Sequence, residues 1–216
     1  MNYIQAFCDN PKAFMESHIV MVGIAENEMS TLFDISVIDL TTEEGYKVMN
    51  KPGGRVFGLY KVNNVATSTS PRISAYWCPF TKNRLKDVTL GNEAKYVFTQ
   101  PMNGCTFGIG TYAGNGVQRV AHVNCANAGN AVGDLGIDMA RQQQQKLQRN
   151  LLISDLGRDV QLIEPTSYRI AFDSPNQSFE ATTFGQHTLS QPWTFFTHRY
   201  CKIGAKTFIH GGVHPA

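Results

Sequence analysis

Short runs of apolar residues, often alternating with polar ones, recur along the whole chain. Most runs are bounded by Gly, Pro, Asn, Asp or Ser, which is the pattern of β-strands separated by turns. In the first part of the chain these runs lie at 18–25, 32–38, 55–62, 72–77, 95–99, 106–111 and 117–123. Further candidates lie at 160–163, 167–172, 193–198 and 207–210. The pattern predicts a mainly β protein.

One segment has helical rather than strand periodicity. Its apolar residues are spaced as on one side of a helix: Leu135, Met139, Leu147 and Leu151. Asp134 is a plausible N-cap, and the four glutamines at 142–145 would then face outward. The sequence therefore predicts one main helix near 134–151.

Many short strands with a single substantial helix favour an α+β fold over alternating βαβ units. We expect a β-sandwich of mixed sheets with flanking helices. A chain of 216 residues is long enough for one sizeable core. We therefore expect a single domain over residues 1–216.

Charge and composition exclude several partner classes. The chain has 19 basic and 17 acidic residues, and no basic block is interleaved with aromatic residues. This argues against a nucleic-acid-binding protein. The apolar run at 18–25 is too short to span a bilayer and lacks the flanks of a cleaved signal, so we expect a soluble protein with no membrane partner. Five cysteines without CxxC spacing favour free thiols in a reducing compartment.

The strongest candidate for chemistry is a cysteine that follows a glycine turn. Asn103 and Gly104 directly precede Cys105, and glycine lets a backbone approach a bound carbonyl closely, so an oxyanion hole at this turn is feasible. His122 follows seventeen positions later, and the Gly-rich segment 110–116 between them is typical of a hairpin loop. Adjacent antiparallel strands would bring thiol and imidazole together, which favours the reactive thiolate. On spacing alone, the stronger interpretation is that Cys105 is an ordinary small core residue and His122 a satisfied half-buried histidine.

Other candidate sites have weaker patterns. Cys125 with Cys105 and His122 lacks the compact spacing of a metal site, so we expect no metal and no other cofactor. The glycines around Gly108 lack the GxGxxG spacing of a nucleotide-binding loop. Four histidines in the C-terminal third share no spacing and are interpreted as surface or satisfied half-buried residues: His187, His198, His210 and His214.

A resemblance to a known family strengthens the catalytic interpretation. The matching segments are Trp77-Cys78-Pro79-Phe80, Phe98-Thr99, Met102-Asn103-Gly104-Cys105 and Val120-Ala121-His122-Val123-Asn124. In order and approximate spacing they resemble the catalytic domains of the Burkholderia lethal factor and cytotoxic necrotizing factor family. These are glutamine deamidases with a cysteine and a histidine on a β-sandwich with flanking helices. The resemblance covers residues 72–124, about a quarter of the chain.

The resemblance implies a role for each matching residue. Cys105 matches the nucleophile, His122 the base, and Thr99 the residue whose hydroxyl or carbonyl oxygen orients the imidazole. The family has Leu-Ser-Gly-Cys where this chain has Met-Asn-Gly-Cys, so Asn103 replaces a serine and the role of that hydroxyl is not carried over. We expect a deamidase toxin or effector that converts a glutamine of a host protein to glutamate.

The same resemblance implies a partner and a place of action. The target would be a host protein, either a translation-initiation helicase or a Rho-type GTPase. We expect a monomer that is exported without a cleaved signal and acts in the host cytosol. Candidate recognition loops are 82–91, 111–116 and 173–188. Alternative functions are a noncatalytic β-sandwich binding module, and a cysteine peptidase or transglutaminase that uses the same Cys-His pair.

Overall fold

The computed structural model describes residues 2–63, 69–113, 117–129, 136–169, 177–188 and 191–216. The strands are β1 (Ile19–Val22), β2 (Leu32–Asp39), β3 (Lys47–Val48), β4 (Val56–Lys61), β5 (Ile73–Cys78), β6 (Leu85–Leu90), β7 (Tyr96–Thr99), β8 (Thr106–Tyr112), β9 (Gln118–Val123), β10 (Gln161–Ile163), β11 (Gln177–Gln186), β12 (Thr194–Ile203) and β13 (Thr207–Pro215). The helices are α1 (Tyr3–Asp9), α2 (Pro11–Ser17), α3 (Leu40–Glu44), α4 (Ile137–Leu156) and α5 (Pro165–Tyr168), with a 3-10 turn at Ala126–Gly129.

The strands form two sheets. The larger has nine strands in the order β1-β4-β2-β5-β7-β11-β12-β13-β3, and the smaller has four in the order β10-β8-β9-β6. The larger sheet is mixed, because β1 with β4, β5 with β7 and β13 with β3 are parallel pairs. The smaller sheet is antiparallel throughout. This confirms the predicted α+β sandwich.

The sheets pack face to face, and helices cover both outer faces. Cys78 on β5 and Phe107 on β8 belong to one buried cluster that joins the two sheets. The other face of the larger sheet packs against α1 and α2, where Phe7 and Phe14 are buried. Leu152 on α4 packs against the outer face of β9. The order of layers is therefore helix, sheet, sheet, helix, and both sheets are buried on two sides.

The main helix is confirmed, but its packed face differs from the prediction. It runs from Ile137 to Leu156, and Asp134 and Leu135 lie outside the described residues. Met139, Leu147 and Leu151, expected to face the core, are 54%, 48% and 43% exposed. The buried side chains of the helix are Ala140, Gln148 and Leu152. A buried glutamine replaces an expected apolar contact, and the reason lies at the candidate site.

Two segments predicted as surface loops contain strands. Residues 85–90 of the 82–91 segment form β6, where Val88 and Leu90 face the core while Asp87 and Thr89 are exposed. Residues 177–186 of the 173–188 segment form β11, which lies between β7 and β12. At its centre lie two buried threonines, Thr182 and Thr183, whose β-branched side chains fit a pleated sheet. In the 111–116 segment, residues 111 and 112 end β8, and 114–116 lie outside the described residues.

The strand predicted at 167–172 is also corrected. Ser167 and Tyr168 belong to the short helix α5, which begins with Pro165, a residue that favours the first turn of a helix. Residues 170–172 lie outside the described residues.

Candidate active site

Cys105 and His122 lie on neighbouring strands, as the hairpin pattern predicts. Cys105 directly precedes β8, and His122 lies on β9 opposite Phe107. One position beyond this register, Cys105 faces Asn124, whose Nδ2 donates a hydrogen bond to the thiol sulfur at 3.1 Å. Cys105 and His122 are therefore diagonal neighbours, a relation in which Cα atoms lie about 7–8 Å apart.

Both side chains point into the space between the two sheets. Cys105 belongs to the intersheet cluster and is 2% exposed. His122 is 1% exposed, and its ring lies 5.8 Å from the ring of Phe80, centroid to centroid. The pair is thus together on one face and shielded from solvent.

The turn before the nucleophile depends on a glycine. Gly104 has a φ of +104°, in the region that side chains rarely adopt. Its N–H donates to the Tyr168 hydroxyl at 2.9 Å, and that hydroxyl donates to the Cys105 carbonyl at 2.8 Å. One phenol thus holds both residues of the turn.

A buried glutamine holds the same turn from the other side. Gln148 on α4 donates from Nε2 to the Gly104 carbonyl at 2.9 Å, and its Oε1 accepts from the Thr106 hydroxyl at 2.7 Å. A third attachment is the bridge between Met102 and Ala181, in which the Met102 N–H donates to the Ala181 carbonyl at 2.6 Å. The turn is therefore fixed by three elements that are distant in sequence.

Burial controls the protonation of the pair. It raises the pKa of the Cys105 thiol, whereas hydrogen bonds from the Asn124 amide and from the backbone of Asn103 lower it. The Cys125 thiol also raises the pKa of Cys105, and the Arg169 charge lowers it. Burial alone lowers the pKa of His122 to about 4. In this conformation the thiol and the imidazole are both neutral near pH 7, and His122 is not among the groups that shift the thiol.

The structure does not join Thr99 to His122. The Thr99 hydroxyl accepts a hydrogen bond from the Thr183 N–H at 3.2 Å. Neither ring nitrogen of His122 has a hydrogen-bond partner among the described residues. An unpaired imidazole nitrogen at full burial is costly, so His122 has bonding capacity left for another group.

A cleft of about 380 Å³ lies beside the pair. Phe80, which contacts the His122 ring, and Asn103, two residues before the nucleophile, both line it. Glu26 and Glu180 give the cleft two carboxylates. Phe80 and Asn103 therefore connect the lining of the cleft to the buried pair, whereas Cys105 and His122 themselves do not line it.

Sequence reasoning missed four residues that contact the turn or the thiol: Asn124, Gln148, Tyr168 and Arg169. Only Asn124 carried a signal, because it lies two positions from His122 on the same face. Gln148 lies on α4, Tyr168 on α5 and Arg169 directly after α5. No sequence pattern relates these three residues to Cys105.

The remaining histidines and cysteines differ in burial and in hydrogen bonding. His198 is fully buried, and both its ring nitrogens lack a partner among the described residues, which corrects its interpretation as a surface or satisfied residue. His210 is buried against the Met15 carbonyl, with Nε2 at 2.8 Å. All five cysteines are free thiols, as expected. Within the described ranges, no three His, Cys, Asp or Glu side chains are grouped so as to hold a metal ion.

Comparison with known proteins adds no relative. No model of a known protein family matches the chain, and no curated protein matches it significantly. In the part of the chain that the structure describes, every helix is too short or too polar to cross a membrane.

Proposed function

We propose that the protein is a cysteine-dependent glutamine deamidase that acts on a protein substrate. The supporting observation is the placement of Cys105 and His122 as diagonal neighbours on one inward face, directly beside a cleft. Asn124 and the backbone of Asn103 donate toward the sulfur, so a thiolate formed there has two hydrogen-bond donors. A nucleophile, a base and donors for the anion are the parts that acyl transfer requires.

The reaction begins with transfer of the thiol proton from Cys105 to His122. The thiolate attacks the side-chain carbonyl carbon of the substrate glutamine, and the carbonyl π electrons move to oxygen. His122 returns the proton to the amide nitrogen, ammonia leaves, and a thioester remains. A water molecule, deprotonated by His122, then attacks the thioester, and the departing sulfur regains the proton. The products are glutamate and the free thiol.

Thr99 keeps its proposed orienting role. Its hydroxyl accepts one hydrogen bond from the Thr183 N–H and retains its own proton and a second lone pair, so either this hydroxyl or the main-chain carbonyl would orient the imidazole in the proposed mechanism. Gly104 and Asn103 supply the turn at which the oxyanion develops, and Gly104 permits the close backbone approach.

Access to the pair requires a local movement. Cys105 and His122 are both almost fully buried, and the nearest cleft ends at Phe80 and Asn103. Rotation of the Phe80 side chain would open His122 to the cleft. The substrate glutamine would enter there, and water would be excluded until the thioester forms.

The proposed substrate is a host protein, either a translation-initiation helicase or a Rho-type GTPase. Conversion of one glutamine amide to a carboxylate adds a full negative charge with little change in volume. A single edit of this kind can inactivate or lock a partner. Action in the host cytosol belongs to the same proposal.

A noncatalytic binding module is the second candidate. The burial of Cys105, and the rise in its thiol pKa that burial causes, favour this alternative. In such a protein Cys105 and His122 would be core residues, and the cleft beside them would bind a partner without chemistry.

The test is treatment of a host-cell lysate with the protein, followed by peptide mapping. Deamidation raises the mass of one glutamine by about one unit, because –NH2 becomes –OH. We expect this product with wild-type protein and with Cys125→Ser, which removes a neighbouring thiol, and not with Cys105→Ser. Cleaved peptides would indicate a peptidase, and incorporation of an added amine would indicate a transglutaminase. If lysates treated with wild-type protein and with Cys105→Ser gave the same peptide map, the noncatalytic binding module would be the remaining function.

A further inference from the structure

One arginine, Arg169, lies against the nucleophile turn. A Cβ added to Gly104 would lie 3.1 Å from Nη2 of Arg169, so the guanidinium contacts this glycine. Four other arginines form ion pairs at 3.0 Å or less: Arg55, Arg72, Arg119 and Arg149. Among the described residues, no carboxylate forms an ion pair with Arg169. In the part of the chain that the structure describes, its charge therefore acts on Cys105 without a carboxylate partner.

The backbone fixes this position. The Arg169 N–H donates to the Pro165 carbonyl at 3.0 Å and closes the short helix α5. Its neighbour Tyr168 is buried and holds both Gly104 and Cys105 through its hydroxyl. The same helix thus anchors the turn and presents a cation to it.

The proposed chemistry needs such a cation. A thiolate in a buried site loses most of its solvation, and two hydrogen-bond donors offset only part of that cost. An imidazolium at His122 would help only after the proton has moved, because the ring is neutral before the transfer. A fixed positive charge near the sulfur stabilises the anion throughout.

We infer that Arg169 is a positioning residue that stabilises the thiolate form of Cys105 by its charge. This deepens the proposed function and rests on it, since it assigns the activation of the same nucleophile. Among the described residues, the titratable or charged groups that act on Cys105 or share its buried cluster are Cys78, Cys125, Tyr168, His122 and Arg169. Burial raises the pKa of Cys78, Cys125 and Tyr168, so all three are neutral from pH 6 to 8, and Arg169 is the one permanent charge of the five.

The test measures alkylation of Cys105 by peptide mapping as a function of pH. Iodoacetamide is neutral and reports the thiolate fraction, whereas iodoacetate is anionic and also reports the local potential. The variants are Arg169→Gln, Arg169→Met and Arg169→Lys, each checked for folding by its thermal transition. Arg158→Gln is the matched control, because Arg158 is an exposed arginine in the turn after α4.

We expect the neutral variants to raise the alkylation midpoint of Cys105 and to slow its alkylation at pH 7 severalfold. Arg169→Lys should keep most of the wild-type midpoint, and Arg158→Gln all of it. In wild-type protein the ratio of iodoacetate to iodoacetamide rates should be higher at Cys105 than at Cys8, and the neutral variants should abolish this difference. If neither neutral variant folds, the ratio of iodoacetate to iodoacetamide rates in wild-type protein is the test. A ratio at Cys105 no higher than at Cys8 would then overturn the role of Arg169.

Two failures are distinguishable. A reactive Cys105 whose midpoint and rate ratio are unchanged by loss of Arg169 would overturn the role of the arginine and leave the deamidase proposal standing. A Cys105 that reacts no faster than Cys78 in wild-type protein would refute the activated nucleophile, and with it both proposals.

Discussion

Replacement of Gln148 by leucine tests whether the nucleophile turn depends on α4. The glutamine is fully buried and satisfies two polar groups, the Gly104 carbonyl and the Thr106 hydroxyl. Leucine has a similar volume but leaves both without a partner. A buried polar group that loses its hydrogen bond costs about 1–3 kcal/mol, and removal of the amide itself offsets part of this. We expect a net loss of about 2–4 kcal/mol in the free energy of unfolding.

For a chain of this length, 1 kcal/mol shifts the melting temperature by about 2–4 °C. Gln148→Leu should therefore lower the melting temperature by roughly 4–16 °C, which calorimetry measures. Urea unfolding measures the loss in free energy directly. The control is Gln143→Leu on the same helix, whose exposed position predicts a change within about 0.5 kcal/mol. Alkylation of Cys105 should also change in Gln148→Leu, because the turn loses one of its attachments. A melting temperature equal to that of the control would show that the two hydrogen bonds do not hold the turn.

Two further predictions follow from the burial of the site. Burial lowers the pKa of His122 to about 4 and that of His198 to about 3, so the unfolded chain binds more protons than the folded one below pH 6.5. The free energy of unfolding should therefore be highest above that pH and fall by up to about 3 kcal/mol per pH unit as the pH drops toward 4. Urea unfolding at pH 7.5, 6 and 5 checks this, and a flat profile in that range would contradict it. Phe80→Ala should speed alkylation of Cys105 severalfold without moving its pH midpoint, because it uncovers the pair but removes no charge; an unchanged rate in a folded variant would mean that Phe80 does not control access.

The hairpin that carries the pair was predictable because its signal is local. Alternating apolar residues on both sides of a Gly-rich segment determine which residues share a face. Cys105 and His122 therefore come together for reasons that are visible within twenty residues of sequence. The same holds for the existence of α4, whose periodic segment is long.

The packing of α4 was not predictable, because a polar interaction overrides the apolar pattern. Leu147 and Leu151 would bury more apolar surface than Gln148 does, yet they face solvent. The helix is rotated so that Gln148 reaches the Gly104 carbonyl and Leu152 reaches β9. The periodicity of apolar residues contains no information about the two hydrogen bonds that Gln148 makes with Gly104 and Thr106, which lie more than forty positions away.

The contacts of Tyr168 and Arg169 were hidden for a related reason. They lie more than sixty residues after Cys105 and in a segment that the apolar pattern assigned to a strand. A four-residue helix has too few positions to show a period, and only Pro165 marks its start. The environment of the nucleophile is therefore assembled by tertiary structure, whereas the nucleophile itself is marked by local sequence.

The number of buried polar contacts at this one turn bears on the choice between enzyme and binding module. Gly104 adopts a conformation that favours glycine, and its N–H and carbonyl are each bound by a side chain from a different helix. An ordinary core cysteine needs none of these, because an apolar contact would hold it without the cost of desolvating polar groups. Tyr168 and Gln148 restrict the position of the sulfur far more than burial alone requires, as is typical of a group that must meet a reacting atom at a fixed distance. Burial still raises the pKa of the Cys105 thiol, and the charge of Arg169 opposes that rise.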